Sequence, residues 1–314
     1  MGYLDSSTGS LKVAKSLDRG ETWSVSTVAS SPNIIPDIRV FVDQQGQYVI
    51  MYSEVDPTTS GIILKIMVSS DAGNAWIYSQ MPVIENVAPP SIVVIDHDNN
   101  YLLYYFAYGL DFGSREWRFS KSIDNGVSWS EPSVVLSLAG LPFPSPVRIS
   151  ASVDSQNNYI VAYDNGEPGS KLLFSRSEDG GSTWSTLAVV STGDVNDCEI
   201  SLTVDRDNNY LITHYNDDAN DCLNFAKSTD NGQTWTKGFI DDSLAGVGRY
   251  ASRAVDADNS YVVTYWGYGA NGLKYAYSND GGTTWPDAVL DEDGDSLIGR
   301  YTSLVIDPVG NIAV

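Results

Sequence analysis

Ser228-Thr229-Asp230-Asn231-Gly232-Gln233-Thr234-Trp235 is the stretch on which the reading of this chain turns. The same octapeptide, Ser-x-Asp-x-Gly-x-Thr-Trp, recurs at Ser16–Trp23, Ser69–Trp76, Ser122–Trp129, Ser177–Trp184 and Ser278–Trp285, with Ala75 for the Thr in the second copy and Ser128 in the third. Each position has a physical task. The Asp accepts N–H bonds inside a tight turn, the Gly supplies a positive φ, and the Ser and Thr hydroxyls satisfy further turn amides. The Trp covers apolar surface and has one donor to place. Successive tryptophans are 53, 53, 55, 51 and 50 residues apart. Twenty-nine residues follow Trp285, and Trp23 is the twenty-third, which together make one more period of 52. The repeat therefore predicts six equivalent units, one of them divided between the chain ends.

A second signature precedes each octapeptide: an apolar run ending in Asp, a polar turn, then another apolar run. Its aspartates are Asp43, Asp96, Asp154, Asp205, Asp256 and Asp307, and a tyrosine follows five residues later in five units: Tyr48, Tyr101, Tyr159, Tyr210 and Tyr261. Ile312 takes that place in the sixth unit. Short Val-, Ile- and Tyr-rich runs bounded by Asn, Asp and Gly read as strands. Each unit thus reads as strand, turn, strand, loop, strand, octapeptide, strand. Four antiparallel strands in about 50 residues, repeated, is a β-propeller blade. Such a sheet buries both faces only by stacking on its neighbours. The expected fold is all-β, a single six-bladed β-propeller over residues 1–314, with almost no helix. Its blades fall approximately at 35–86, 87–140, 141–193, 194–246, 247–297, and 298–314 plus 1–34.

Composition agrees. The 314 residues carry 31 Asp but 9 Glu, with 18 Lys+Arg, 27 Gly, 19 Tyr and 8 Trp, for a net charge of −22. Asp is at home in turns, whereas Glu favours helices. Twelve of the aspartates sit at the two repeat positions, so much of the charge is turn chemistry multiplied six times. At −22 the chain is a poor partner for nucleic acid or anionic lipid. No apolar run is long enough to span a membrane, and Met1-Gly2-Tyr3-Leu4-Asp5 has no basic or apolar leader character. His97 and His214 are the only histidines, which leaves little room for a Ser-His-Asp triad and none for a multi-His zinc site. The turns at Asp96, Asp205 and Asp256 superficially resemble calcium loops but lack the Gly and the bidentate Glu of an EF-hand. No cofactor and no metal are expected. Cys198 and Cys222 begin strands separated by one other strand, a spacing too wide for a disulfide in a regular sheet unless the intervening loop folds over.

The octapeptide resembles the Asp box, also called the bacterial neuraminidase repeat, and the resemblance runs through the whole chain. It implies a propeller similar to the sialidases, although Asp boxes also occur in propellers that are not enzymes. Asp18, Asp71, Asp124, Asp179, Asp230 and Asp280 are read as structural, because six equivalent aspartates cannot all be catalytic. Sialidases grip a substrate carboxylate with three arginines, use a Tyr–Glu pair as nucleophile and an Asp as acid/base. The arginine motif at the start of an inner strand is matched in part by Gly248-Arg249-Tyr250 and Gly299-Arg300-Tyr301, neither of which keeps the family's Ile-Pro. Arg249 and Arg300 both lie seven residues before the turn Asp, where the other units have Pro36, Pro89, Val147 and Cys198. Arg148 and Arg39 lie near the same place, so a triad of Arg249, Arg300 and Arg148 is conceivable. Guanidinium is a planar bidentate fork suited to carboxylate. Glu54, Glu167, Glu199 and Asp197 are the carboxylates on that side, and none is marked out for catalysis.

The same side carries aromatic loop residues: Tyr108 in one unit, Trp266 and Tyr268 in another. Exposed aromatic rings offer stacking platforms for sugars, whereas Tyr105 and Tyr265 should pack inward by alternation. The preferred reading is a non-catalytic binding module for a glycan or glycoconjugate, with Tyr250 and Tyr301 beside the arginines. A sialidase-like exo-glycoside hydrolase and a structural or protein-interaction domain of a larger surface protein are the two alternatives. A secreted or cell-surface monomer that neither inserts in membranes nor binds nucleic acid is expected.

Overall fold

The computed structural model describes residues 2–16, 18, 21–59, 61–79, 87–108, 115–137, 148–164, 171–192, 200–216, 222–243, 246–267, 272–291, 302–306 and 310–314. The chain divides into two compact units, residues 1–140 and 141–314. Every regular element among the described residues is a β-strand, so the all-β expectation holds. No helix among them is long and apolar enough to cross a membrane.

In the first unit, β1 (Gly2–Asp5), β2 (Ser10–Lys15) and β3 (Ser24–Ser30) form a three-stranded sheet. Next come β4 (Ile34–Val42), β5 (Tyr48–Val55), β6 (Ile62–Ser69) and β7 (Ile77–Tyr78), then β8 (Val87–Ile95), β9 (Tyr101–Tyr108), β10 (Arg115–Ser122) and β11 (Ser133–Ser137). Each group of four is one antiparallel sheet with neighbours in chain order. The second unit repeats this three times. Its first sheet is β12 (Ile149–Val153), β13 (Tyr159–Asp164), β14 (Lys171–Ser177) and β15 (Ser185–Thr192). The second is β16 (Ile200–Val204), β17 (Tyr210–Asn216), β18 (Cys222–Ser228) and β19 (Thr236–Asp241). The third is β20 (Val247–Val255), β21 (Tyr261–Gly267), β22 (Gly272–Ser278) and β23 (Asp287–Asp291). A short hairpin, β24 (Val305–Ile306) and β25 (Ile312–Ala313), follows.

The core lies between the faces of consecutive sheets. Alternate residues of each second strand serve opposite neighbours. Val49 and Met51 of β5 pack with Tyr101, Leu103 and Tyr105 of β9, while Ile50 and Tyr52 pack with Leu11 and Val13 of β2. In the second unit Tyr210 and Ile212 join Ile160 and Ala162, while Leu211 joins Val247 and Val263. A strand buried on both faces must be apolar at nearly every position. Tyr101 to Ala107 are all buried, and so are Tyr159 to Asp164.

The octapeptide falls between the third and fourth strands, and one hydrogen-bond scheme recurs. In all six copies the Ser Oγ donates to the Asp Oδ1 at 2.8–2.9 Å. That Oδ1 also accepts the seventh residue's N–H at 2.8–2.9 Å. The hydroxyl of the seventh residue donates to Oδ2 at 2.5–2.6 Å wherever it exists, which excludes only Ala75. The Gly N–H donates to the Ser Oγ at 2.8 Å. Ala72, Asn125 and Asn231, just before the glycines, are left-handed as well, at φ 56–60°. With the glycine this makes two consecutive left-handed residues, one more than the repeat alone predicts. At Gly232, φ is +84° and a Cβ would collide with the Phe174 ring. The threonine hydroxyls, with the turn N–H groups, hold Asp18, Asp179, Asp230 and Asp280 down at about 2. Trp129, Trp235 and Trp285 lie against the cores between sheets.

The inner-turn aspartates join one sheet to the next. The Asp43 Oδ1 accepts the N–H groups of Gln45 and Gln47, and its Oδ2 accepts the Tyr101 hydroxyl of the following sheet at 2.7 Å. Tyr210 bonds Asp154 at 2.7 Å and Tyr261 bonds Asp205 at 2.5 Å in the same way. The side chains of Asn99, Asn208 and Asn259 accept from the backbone of the preceding turn at 2.8–2.9 Å. The Asp…Tyr spacing found in the sequence is therefore a clamp between neighbouring sheets.

Candidate functional site

Inner strands β4, β8 and β20 break register near the same repeat position: between Ile35 and Ile38, between Ala88 and Ile92, and on both sides of Arg249. Pro36, Pro89 and Arg249 all occupy the place seven residues before the turn Asp. A bulge interrupts the ladder, so a residue without an N–H is tolerated there. In β20 that place belongs to Arg249-Tyr250, and the bulge re-aims their side chains.

The bulge is built by two left-handed residues. Gly248 has φ +104°, and a Cβ there would sit 2.5 Å from the Cβ of Leu223 and 2.9 Å from its Cα, so only glycine fits. Tyr250 has φ 58° without being glycine, a conformation costing about 1–2 kcal/mol. Strain of this kind persists where surroundings impose it. Here the Thr302 hydroxyl donates to the Tyr250 carbonyl at 2.7 Å.

The half-buried Arg249 donates from Nη2 to the Tyr215 hydroxyl at 3.3 Å, and its guanidinium lies 4.9 Å from the centre of the Tyr215 ring. Tyr215 is buried at the end of β17. Arg249 pairs in register with Trp266, whose ring centre is 6.3 Å from that of Tyr250. The structure thus brings Arg249 onto the Tyr215 ring, with the Tyr250–Trp266 ring pair carried by the same bulge and its partner strand. Such an arrangement holds a guanidinium in a defined orientation.

Other residues fare differently. Trp266, open in the sequence to either stacking or packing, is 5% exposed and packs on β21. Tyr108 belongs to the first unit, half-buried and edge-on to Phe106 at 5.1 Å. Arg148 precedes β12, and its backbone is tied to the buried Asp164 through Arg148 N–H to Oδ2 at 3.1 Å and Asp164 N–H to Arg148 O at 3.2 Å. Arg39 is exposed and donates to the Ile38 carbonyl at 3.3 Å. Arg300, Tyr301, Tyr268, Glu167, Asp197, Cys198 and Glu199 lie outside the described residues. Glu54, expected in a loop, is instead buried on β5 and ion-paired to Lys65 at 2.5 Å. Cys222 is buried at the start of β18. Among the described residues no cluster of His, Cys, Asp and Glu could hold a metal ion.

Tyr215 and Asp164 were not singled out by sequence reasoning. The signal existed. Five residues after the clamp tyrosine, the second strands carry Ser53, Phe106, Asp164, Tyr215 and Trp266, a varied position in an otherwise regular repeat. Beside the site, the Asp241 carboxylate accepts from Lys274 and from the Tyr265 hydroxyl at 2.8 Å, and Lys274 also pairs with Asp287 at 2.7 Å. Burial pushes the Tyr265 hydroxyl up, helped by Asp241. Burial opposes the charge on Asp241, but the bonds from Lys274, Ser243 and Tyr265 outweigh it and hold its carboxyl down. This buried pair closes the end of β19 against β22, just ahead of the Arg249 bulge.

The sequence signature of the BNR repeat-like domain matches residues 82–314. The chain is similar to the anhydrosialidase of Macrobdella decora, 26% identical over 240 residues, which are 72% of this chain and 28% of that protein. It therefore spans less than a third of the length of that curated relative. Two solved structures are similar in fold. The α-L-arabinanase of Penicillium chrysogenum, in complex with arabinobiose, is 14% identical with a TM-score of 0.60, covering 87% of this chain and 86% of that one. The NanB sialidase of Streptococcus pneumoniae is 13% identical with a TM-score of 0.58, covering 91% and 66%. The fold is accordingly that of a β-propeller, built of four-stranded antiparallel blades.

Proposed function

The chain belongs to the BNR repeat-like domain family, and on that premise we propose that it is a glycan-binding propeller of secreted or surface proteins that grips an acidic sugar through Arg249. The carrying observation is the strained Gly248-Arg249-Tyr250 bulge, which presents a half-buried guanidinium over Tyr215. Its equivalents in β4 and β8 spend the same position on proline. A planar guanidinium with a fixed orientation suits a carboxylate. Arg300 and Arg148, with Tyr301, Tyr268 and Tyr108, are the remaining ligand-contact candidates. The glycan complex of the similar arabinanase and the likeness to sialidases support the substrate class.

A glycan array tests this. Discrete binding to acidic glycans is expected, with at least about a tenfold loss in Arg249→Ala, the scale of one charge-assisted bond. Array silence would overturn the reading. The alternative, a sialidase-like exo-glycoside hydrolase, draws on the anhydrosialidase similarity. Turnover of a fluorogenic sialoside that disappears in Arg249→Ala would establish that alternative.

A further inference from the structure

A groove of about 150 Å³ in the first compact unit lies between the sheet β4–β7 and the octapeptide of the next sheet. Clefts for whole drug-sized ligands span about 300–1,000 Å³, so the space suits a single ring. Ile77 and Tyr78, the whole of strand β7, line one side; Asp124, Asn125 and Val127 line the other, and Gln47 comes from the inner turn. Ile77 is 67% exposed, Tyr78 52% and Val127 52%, an unusual concentration of open apolar surface on an acidic chain.

We propose that this groove is a binding subsite for a neutral sugar ring, distinct from the Arg249 site of the second unit. Sugars present an apolar C–H face and a rim of hydroxyls. The Tyr78 ring is suited to the first. It is pre-positioned, because Tyr78 pairs in register with Met67 and the Lys65 ammonium lies 6.0 Å from its ring centre. Ile77 and Val127 extend the apolar surface. The amides of Gln47 and Asn125 each offer donors and acceptors for the hydroxyl rim.

The charge around the groove selects against acidic ligands. No lysine, arginine or histidine is among the described residues that line it, and the Lys65 ammonium beside Tyr78 is neutralised by its ion pair with Glu54. Asp124 stays ionised, because the bonds from Ser128 and Ser122 outweigh its burial and keep its carboxyl lowered. Its Oδ1 accepts Ser122 Oγ and Ser128 N–H, both at 2.8 Å, and its Oδ2 accepts Ser128 Oγ at 2.6 Å. It is a fixed negative wall. A carboxylated or sulfated sugar meets repulsion there, and a neutral one does not.

Saturation-transfer NMR on the full chain tests the proposal, with lactose, maltotriose and arabinobiose as probes. At least one neutral sugar should receive saturation at millimolar concentration. Tyr78→Ala should reduce the transfer at least about fivefold through loss of stacking. Val127→Trp, which fills the groove from an exposed position, should do the same. Arg249→Ala should leave it unchanged. The dispersion of the amide spectrum of each variant checks that it is folded. No transfer from any neutral sugar, transfer insensitive to both groove variants, or transfer lost in Arg249→Ala would each overturn the proposal. A negative array result for acidic glycans leaves this test intact, because the two sites are read by different variants.

Discussion

His214 shows what a single side chain contributes when the repeat does not require it. It occupies the position on β17 that holds Tyr52, Tyr105, Tyr163 and Tyr265 in the other described second strands. It is 4% exposed, and its Nδ1 has no hydrogen-bond partner among the described residues. Burial pushes its imidazole down to about 4. The unfolded chain therefore binds this proton near pH 6.5, while the folded chain binds it only near pH 4. Stability from this group is complete above about pH 6.5 and falls between 6.5 and 4, by about 3 kcal/mol in all. The octapeptide carboxylates held at about 2 overlap only the lower end of that window, because in the unfolded chain they take up protons from about pH 5 downward; between pH 6.5 and 5 the slope belongs to His214. His214→Leu is expected to flatten the loss of urea-unfolding free energy between pH 6.5 and 4. An unchanged slope would assign the effect elsewhere. Nothing local announces this burial. It follows from counting five residues along a strand that both neighbouring sheets cover.

At the scale of the element, the β20 bulge decides what Arg249 does. Gly248→Ala is expected to cost about 1–3 kcal/mol, because a left-handed backbone and a contact with the Leu223 main chain must both give way. It should weaken acidic-glycan binding as Arg249→Ala does, while retaining the arginine. Chemical denaturation together with the array separates the two effects. Retained affinity would mean that the bulge does not aim the guanidinium. The strand pattern was legible beforehand, because Asp turns and alternating Tyr, Val and Ile are local signals. Arg249, Arg300 and Tyr250 were legible too, as departures from a repeat that elsewhere carries Pro36 and Pro89. The partners were not. Tyr215 belongs to a different sheet, 34 residues away, and its approach depends on how two sheets stack. The same stacking decided that Trp266 packs rather than stands open.

Across the whole chain, a net charge of −22 opposes compaction at neutral pH. The screening length is about 30 Å at 0.01 M salt and about 8 Å at 0.15 M. Thermal stability is therefore expected to rise with sodium chloride over that interval. A gain of about 1 kcal/mol would appear as about 2–4 °C in a calorimetric scan for units of this size. A fall would mean that ion pairs such as Lys12–Asp5 and Lys65–Glu54 outweigh the repulsion.

Much of the architecture is written in short segments. The octapeptide closes its own hydrogen bonds within eight residues, and its recurrence fixes the period of the strands, whatever lies far along the chain. That is why fold class, strand order and turn positions could be read from residues alone. The tyrosine clamps, the burial of His214, the burial of Glu54 with Lys65 and the cluster around Arg249 all needed the tertiary structure. The clamps, His214 and the Arg249 cluster depend on the stacking of consecutive sheets, and Glu54 meets Lys65 across the neighbouring strands β5 and β6. A repeated sequence states that its sheets are alike, and stacking then determines which of the unlike residues meet.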